Sequence, residues 1–155
     1  RYFNLRIVVA RPFNHTGPGQ SSVFALPSFA KQIAEIERGI REPYIVVGNL
    51  EAKRDFLHVR DVVTAYQLLI QRGKDGEVYN VASGSPHSIR EVLDILLRLS
   101  KKRVEVRVDE ERMRPQDAPF LSGKPDKLAK ATGFYPRVSL EVTLKDLLRF
   151  WRQSV

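Results

Sequence analysis

The 155-residue chain has no cysteine, which excludes disulfides, thiolate nucleophiles and cysteine-ligated metals. Its three histidines, His15, His58 and His87, have no metal-ligand spacing, and His87 reads as a solvated loop residue. No apolar run approaches the roughly 18 to 20 residues a membrane helix needs. No basic start leads into a signal-type apolar stretch, so a cytoplasmic location is expected. Glycine fingerprints of the G-x-G-x-x-G kind and Walker phosphate loops are missing. A Tyr-x-x-x-Lys pair is missing too, because none of the tyrosines at 2, 44, 66, 79 and 135 has lysine four residues on. No pair of carboxylates stands at an acid/base spacing, so a complete active site is not readable from this chain.

The balance of 43% hydrophobic and 28% charged residues is that of a folded globular protein. The length suits one domain. Lys and Arg outnumber Asp and Glu by 26 to 18, a net charge of +8 that favours anionic ligands. Nucleic acid, an anionic membrane face and a diphosphate-bearing small molecule all meet that description. The positive charges are dispersed among acids rather than gathered in a stripe, which argues against nucleic acid.

The pattern predicts alternating strands and helices. Leu5–Ala10 reads as a buried strand opening into the loop Pro12–Gly19. Phe29, Ile33 and Ile36 lie on one face of a helix over 23–38 that Gly39 closes. Tyr44–Val47 and Asp55–Val59 read as strands, and Asp61 is expected to cap a helix that stops at Gly73. After a strand at Val78–Val81, Ser88 and Glu91 form a capping box for the next helix. Lys102–Val108 alternates like a half-exposed strand. Residues 110–119 read as a loop, Pro125 starts a short helix ending near Gly133, and Ser139 caps a last helix through Trp151. The opening residues, Arg1-Tyr2-Phe3-Asn4, resemble the end of a helix that begins upstream.

Three loops could carry chemistry. In Arg11–Gln20, Asn14 offers amide donors and an acceptor, and Gly17 and Gly19 allow close backbone approach to a ligand. The same residues equally suit an ordinary turn. In Gly48–Phe56, Arg54 could grip a phosphate bidentately or pair with Asp55 or Asp61 at the surface. In Arg112–Asp117, Arg114 and Asp117 could hold a phosphate and a ribose, or be a solvated mixed-charge loop.

Taken in order, Arg11-Pro12-Phe13-Asn14-His15, Gly48-Asn49-Leu50, Arg54-Asp55-Phe56, Val59-Arg60-Asp61-Val62-Val63, Val78-Tyr79-Asn80-Val81-Ala82-Ser83-Gly84 and Arg114-Pro115 resemble the extended short-chain dehydrogenase/reductases that act on GDP-sugars. Thr16-Gly17-Pro18-Gly19-Gln20 is similar to the loop of the reductases of GDP-4-keto-6-deoxymannose rather than of the 4,6-dehydratases. The resemblance implies an α/β fold: the C-terminal portion of an extended Rossmann-type enzyme, with the last strands of its parallel sheet and a small α/β nucleotide-sugar-binding domain over residues 1–155. The N-terminal dinucleotide-binding half, holding NADP(H) or NAD(H) and the catalytic Tyr and Lys, is then absent.

The same resemblance implies site roles. Asn14 would contact the diphosphate or hexose and His15 the nicotinamide end of the cofactor. Arg54 and Arg114 would bind the diphosphate, and Asp117 the ribose, where the family more often has glutamate. Lys31, Gly48 and Asn49 would line the nucleotide pocket. The implied partners are a GDP-sugar and the N-terminal half, in a full-length homodimer with neither nucleic acid nor membrane, and the chain alone is expected to be inactive. A dehydratase or epimerase fragment and a non-catalytic nucleotide-sugar-binding module are the alternatives.

Overall fold

A computed structural model describes residues 5–113 and 118–155. The strand nearest the start, β1 (Val9–Pro12), pairs in parallel with β5 (Val78–Val81). Phe13 carries the chain onward, its N–H bonded to Val81 O at 2.9 Å, into β2 (Asn14–Thr16). The organising strand is β4 (Lys53–His58). Its second half lies parallel to β2, while its first half pairs antiparallel with β6 (Pro86–Ser88) and parallel with β8 (Phe120–Leu121). A separate parallel pair joins β3 (Tyr44–Val47) to β7 (Glu105–Val108).

The helices are set by their caps. α1 (Ala25–Arg38) ends at Gly39, whose φ of 76° is the left-handed conformation that a helix stop favours. α3 (Ile89–Leu99) starts in the expected capping box, with Ser88 and Glu91 exchanging side-chain to backbone bonds. α4 (Asp126–Thr132) stops at Gly133, and α5 (Leu140–Ser154) starts at Ser139, as the pattern predicts. α2 (Val59–Arg72) departs from expectation, because its cap is His58. The imidazole Nδ1 accepts the Arg60 N–H at 3.0 Å. Asp61 is instead buried in the first turn, accepting the backbone N–H groups of Arg137 and Val138 at 3.1 and 3.0 Å.

Two apolar clusters flank β4. The larger joins Phe29, Ile33 and Ile36 of α1 to Ile45 and Val47 of β3, Val92, Leu93 and Leu96 of α3, and Leu144, Leu147 and Leu148 of α5. The smaller gathers Leu57, Val62, Ala65, Leu69, Tyr79, Val81, Leu128 and Phe134. Phe56 packs on the first and Leu57 belongs to the second, so successive residues of one strand serve opposite cores. Each fully buried Leu or Ile contributes about 1.5–3 kcal/mol by leaving water.

Four other expectations are corrected. The first strand is Val9–Pro12, and Leu5, Ile7 and Val9 are 63%, 56% and 44% exposed, because only β5 pairs with β1 among the described residues. His87 lies in β6, opposite Arg54, with its ring 3.3 Å from Glu91. The strand expected over 102–108 begins at Glu105. Residues 110–119 hold a 3-10 turn at Glu110–Arg112 before β8 forms. The helix end expected over residues 1–4 lies outside the described residues.

Candidate functional site

The period-two geometry of β4 makes the site. Arg54 and Phe56 project to one side and line a cavity of about 550 Å³, within the size range of small-molecule pockets. Asp55 projects to the other side, where it is fully buried. Its carboxylate accepts from Ser83 N (2.8 Å), Ser83 Oγ (2.6 Å), Gly84 N (2.9 Å), Gly123 N (3.3 Å) and Ser122 Oγ (3.4 Å). Asp55 spends its carboxylate on backbone amides and serine hydroxyls, and Asp61 on backbone amides, so neither forms the surface ion pair with Arg54 that was entertained for it. The Arg54 guanidinium donates to the Lys53 carbonyl through Nη1 at 2.8 Å.

The β2–β4 register brings the first loop to the same cavity. Asn14 stands beside Phe56 and His15 beside Leu57, and Asn14, His15, Thr16 and Gln20 all line the space. His15 Nδ1 lies 3.0 Å from the Phe13 carbonyl. A carbonyl only accepts, so Nδ1 carries the proton, and in the neutral ring Nε2 is the acceptor. The loop is held by Thr16 Oγ1 donating to Gln20 Oε1 (2.6 Å) and Gln20 Nε2 donating to His15 O (3.1 Å). The turn forms one wall of the cavity.

The start of α1 forms another wall, with Phe24, Ala25, Leu26 and Pro27 on the lining. Phe24 occupies the N-cap and has no side-chain acceptor, and the first turn carries no acid. The N–H groups of Ala25 and Leu26 are left for solvent or ligand, at the positive end of the helix. A guanidinium, an asparagine amide and an uncapped helix start make a cavity suited to an anionic, oxygen-rich group. Val46, Val47 and Phe56 supply apolar surface beside it.

Gly48 and Asn49 line the cavity. A Cβ at Gly48 would lie 2.6 Å from the Arg112 carbonyl oxygen, so glycine is what lets the 3-10 turn approach β3. Asn49 Oδ1 accepts the Glu51 N–H at 2.9 Å in a local turn. Lys31 is not among the lining residues. It lies one helical turn from Glu35, at 3.7 Å, and over the Trp151 ring. Arg114 and Asp117 lie outside the described residues. Sequence reasoning passed over Phe24, Val46 and Glu111 as lining residues, and Arg112, which opens the singled-out Arg112–Asp117 stretch, was given no role of its own. Glu111 adjoins that stretch, but the approach of both residues to β3 depends on a contact more than sixty residues away.

The family model described as GDP-mannose 4,6 dehydratase matches residues 1–147. The GDP-6-deoxy-D-mannose reductase of Pseudomonas aeruginosa is 38% identical over 150 residues, 97% of this chain and 49% of the relative. Human GDP-mannose 4,6 dehydratase is 28% identical over 94% of this chain and 44% of its own length. Among solved structures, RMD from Pseudomonas aeruginosa complexed with NADPH superposes with a TM-score of 0.91 at 38% identity, covering 97% of this chain and 50% of that one. A Thermotoga maritima UDP-glucose 4-epimerase with UDP-glucose superposes at 0.80 and 26% identity, covering 98% and 48%. The chain spans about half the length of the curated relatives it matches. With nearly its whole length matched by that model, the chain belongs to the GDP-mannose 4,6 dehydratase family, within the epimerase/dehydratase group of short-chain dehydrogenase/reductases.

Proposed function

We propose that this chain is the nucleotide-sugar-binding half of an NAD(P)-dependent reductase that converts the C4 ketone of GDP-4-keto-6-deoxymannose to an alcohol, giving GDP-rhamnose. The observation that carries the reading is the meeting of Arg54, Asn14 and the uncapped start of α1 on one cavity. A diphosphate needs several fixed donors at once, and these come from three separate elements. The reductase is preferred over the dehydratase by the Thr16–Gln20 loop and by the 38% identity to a reductase over nearly the full chain.

When bound, the nicotinamide cofactor supplies the hydride. For that cofactor this chain offers His15, whose Nδ1–H is turned to its own backbone. No glycine fingerprint is present to hold the rest, so the dinucleotide belongs mainly to a second, N-terminal half, as does the tyrosine that donates the proton. The work of this chain is to bind and orient. Fixing the diphosphate and hexose places the ketone without contributing a reacting group.

Titration calorimetry with GDP tests the reading. Wild-type chain should bind, and Arg54→Ala should weaken GDP by about tenfold or more, the worth of one charge-assisted hydrogen bond of roughly 1.5–3 kcal/mol. Unchanged affinity with an unchanged circular dichroism spectrum removes Arg54 from the site. With the N-terminal half supplied, turnover of GDP-4-keto-6-deoxymannose but not GDP-mannose separates the reductase from the dehydratase.

A further inference from the structure

We infer that Glu111 reads the base edge of the bound nucleotide and makes the cavity selective for guanine, an inference that rests on the nucleotide-diphosphate reading of the same site. Its starting point is a surface turn fastened to the cavity rim. Asp109 donates its N–H to the Val47 carbonyl at 2.9 Å, directly beyond the β3–β7 pairing. The Asp109 side chain caps the turn by accepting the Glu111 N–H at 3.0 Å. Arg112 Nη1 donates to the Val46 carbonyl at 3.2 Å, and its Nε lies 3.5 Å from Asp109. Gly48 admits the turn where any side chain would collide with the Arg112 backbone. These contacts hold Glu111 and Arg112 on the lining of the cavity.

The charge of Glu111 is then the puzzle. The chain carries a surplus of eight positive charges, yet among the described residues no cation pairs with this carboxylate. Its neighbour Arg112 is turned to Asp109 and Val46 instead. A negative group on the wall of a diphosphate site opposes the ligand by like-charge repulsion, unless it meets a part of that ligand which donates hydrogen bonds.

The nucleobases differ in whether they offer such a part. Guanine presents N1–H and N2–H2 side by side, two donors that match two carboxylate oxygens. Adenine and cytosine set a ring lone pair beside their amino group, which would face one of those oxygens in repulsion. Uracil offers a single N3–H between two carbonyls. Only guanine satisfies both oxygens, and each rejected base leaves the carboxylate facing a lone pair, so selectivity comes from repulsion as much as attraction. The flat base would lie against the apolar lining of Phe24, Leu26 and Val46.

Calorimetry with GDP, IDP, ADP and UDP at one salt concentration tests this, using the whole chain, with Glu111→Gln and Arg54→Ala as variants. Wild type should prefer GDP, with IDP, which lacks only the 2-amino group, about tenfold weaker, as the loss of one hydrogen bond to a charged acceptor dictates. Glu111→Gln should weaken GDP by about tenfold, shrink the GDP-to-IDP ratio, and leave ADP and UDP unchanged or tighter. A wild type that binds all four alike, or a Glu111→Gln variant with the same GDP-to-IDP ratio, overturns the inference. If Arg54→Ala then weakens all four nucleotides together, the diphosphate site stands without base selection. If none of the four binds, the nucleotide reading falls and takes this one with it.

Discussion

His58 shows how one residue can hold a structural post and set a pH limit. It is buried at the junction of β4 and α2, where Nδ1 takes the Arg60 N–H, and Nε2 points toward Asp146 of α5 at 3.7 Å. Desolvation holds its pKa below the usual 6.5. The nearby Arg60 adds to that, and Asp146 and Asp61 oppose it. The folded protein therefore keeps this imidazole neutral to lower pH than the unfolded chain, which takes up a proton near 6.5. Above that value both states are neutral and His58 contributes no pH slope. Below it the unfolded state binds more protons, so stability is lost as pH falls from 6.5 toward the lower folded value. Urea denaturation at pH 7.5 and at pH values stepping down to 5 should show this loss. In His58→Asn, which retains a capping oxygen, the slope across this window should flatten. A slope identical to wild type would assign the pH dependence elsewhere.

At the scale of elements, the buried Asp55 carboxylate ties two segments to β4. Ser83 and Gly84 follow β5, while Ser122 and Gly123 follow β8. The tie also fixes the strand whose opposite face presents Arg54. Asp55→Ala orphans several buried donors at about 1–3 kcal/mol each, so a stability loss above roughly 3 kcal/mol is expected from denaturant midpoints. Asp55→Asn, keeping one carbonyl acceptor, should lose less. A loss within about 1 kcal/mol for the alanine variant would mean that the donors find other partners.

This clamp also marks what the sequence could and could not disclose. α3 and α5 were readable because a serine and its bonding partner lie three residues apart, and apolar spacing does the rest. The Arg11–Gln20 and Gly48–Phe56 loops stood out by residue type and position, and both reach the cavity. Asp61 was misassigned because a carboxylate near a helix start suits a cap, whereas the amides that take it belong to Arg137 and Val138, 76 and 77 residues on. Lys31 carried a visible counter-signal in Glu35, four residues ahead on the helix. Arg112 opened the singled-out Arg112–Asp117 stretch, but the place of the Glu111–Arg112 turn depends on the approach to Gly48.

For the molecule as a whole, an open apolar side lies outside the cavity lining. β1 pairs only with β5 among the described residues, and Leu5, Ile7 and Val9 are exposed beside it. On α2 the buried residues Val62, Ala65 and Leu69 mark one face, while Val63, Tyr66 and Ile70, spaced three and four apart, are 50%, 38% and 78% exposed. A strand edge without a partner, flanked by apolar side chains, is a template for association. On the proposed reading its partner is the N-terminal α/β half, whose parallel sheet would continue from β1. The chain alone should therefore bind an apolar fluorescent dye and self-associate at high concentration, as read by light scattering. Replacing Val63 and Ile70 with glutamate should suppress both effects and leave GDP affinity intact, because these side chains lie outside the cavity lining. Adding a purified N-terminal half from the 38% identical reductase should quench the dye with wild type and fail with the glutamate variant. Quenching that survives those substitutions would place the docking surface elsewhere.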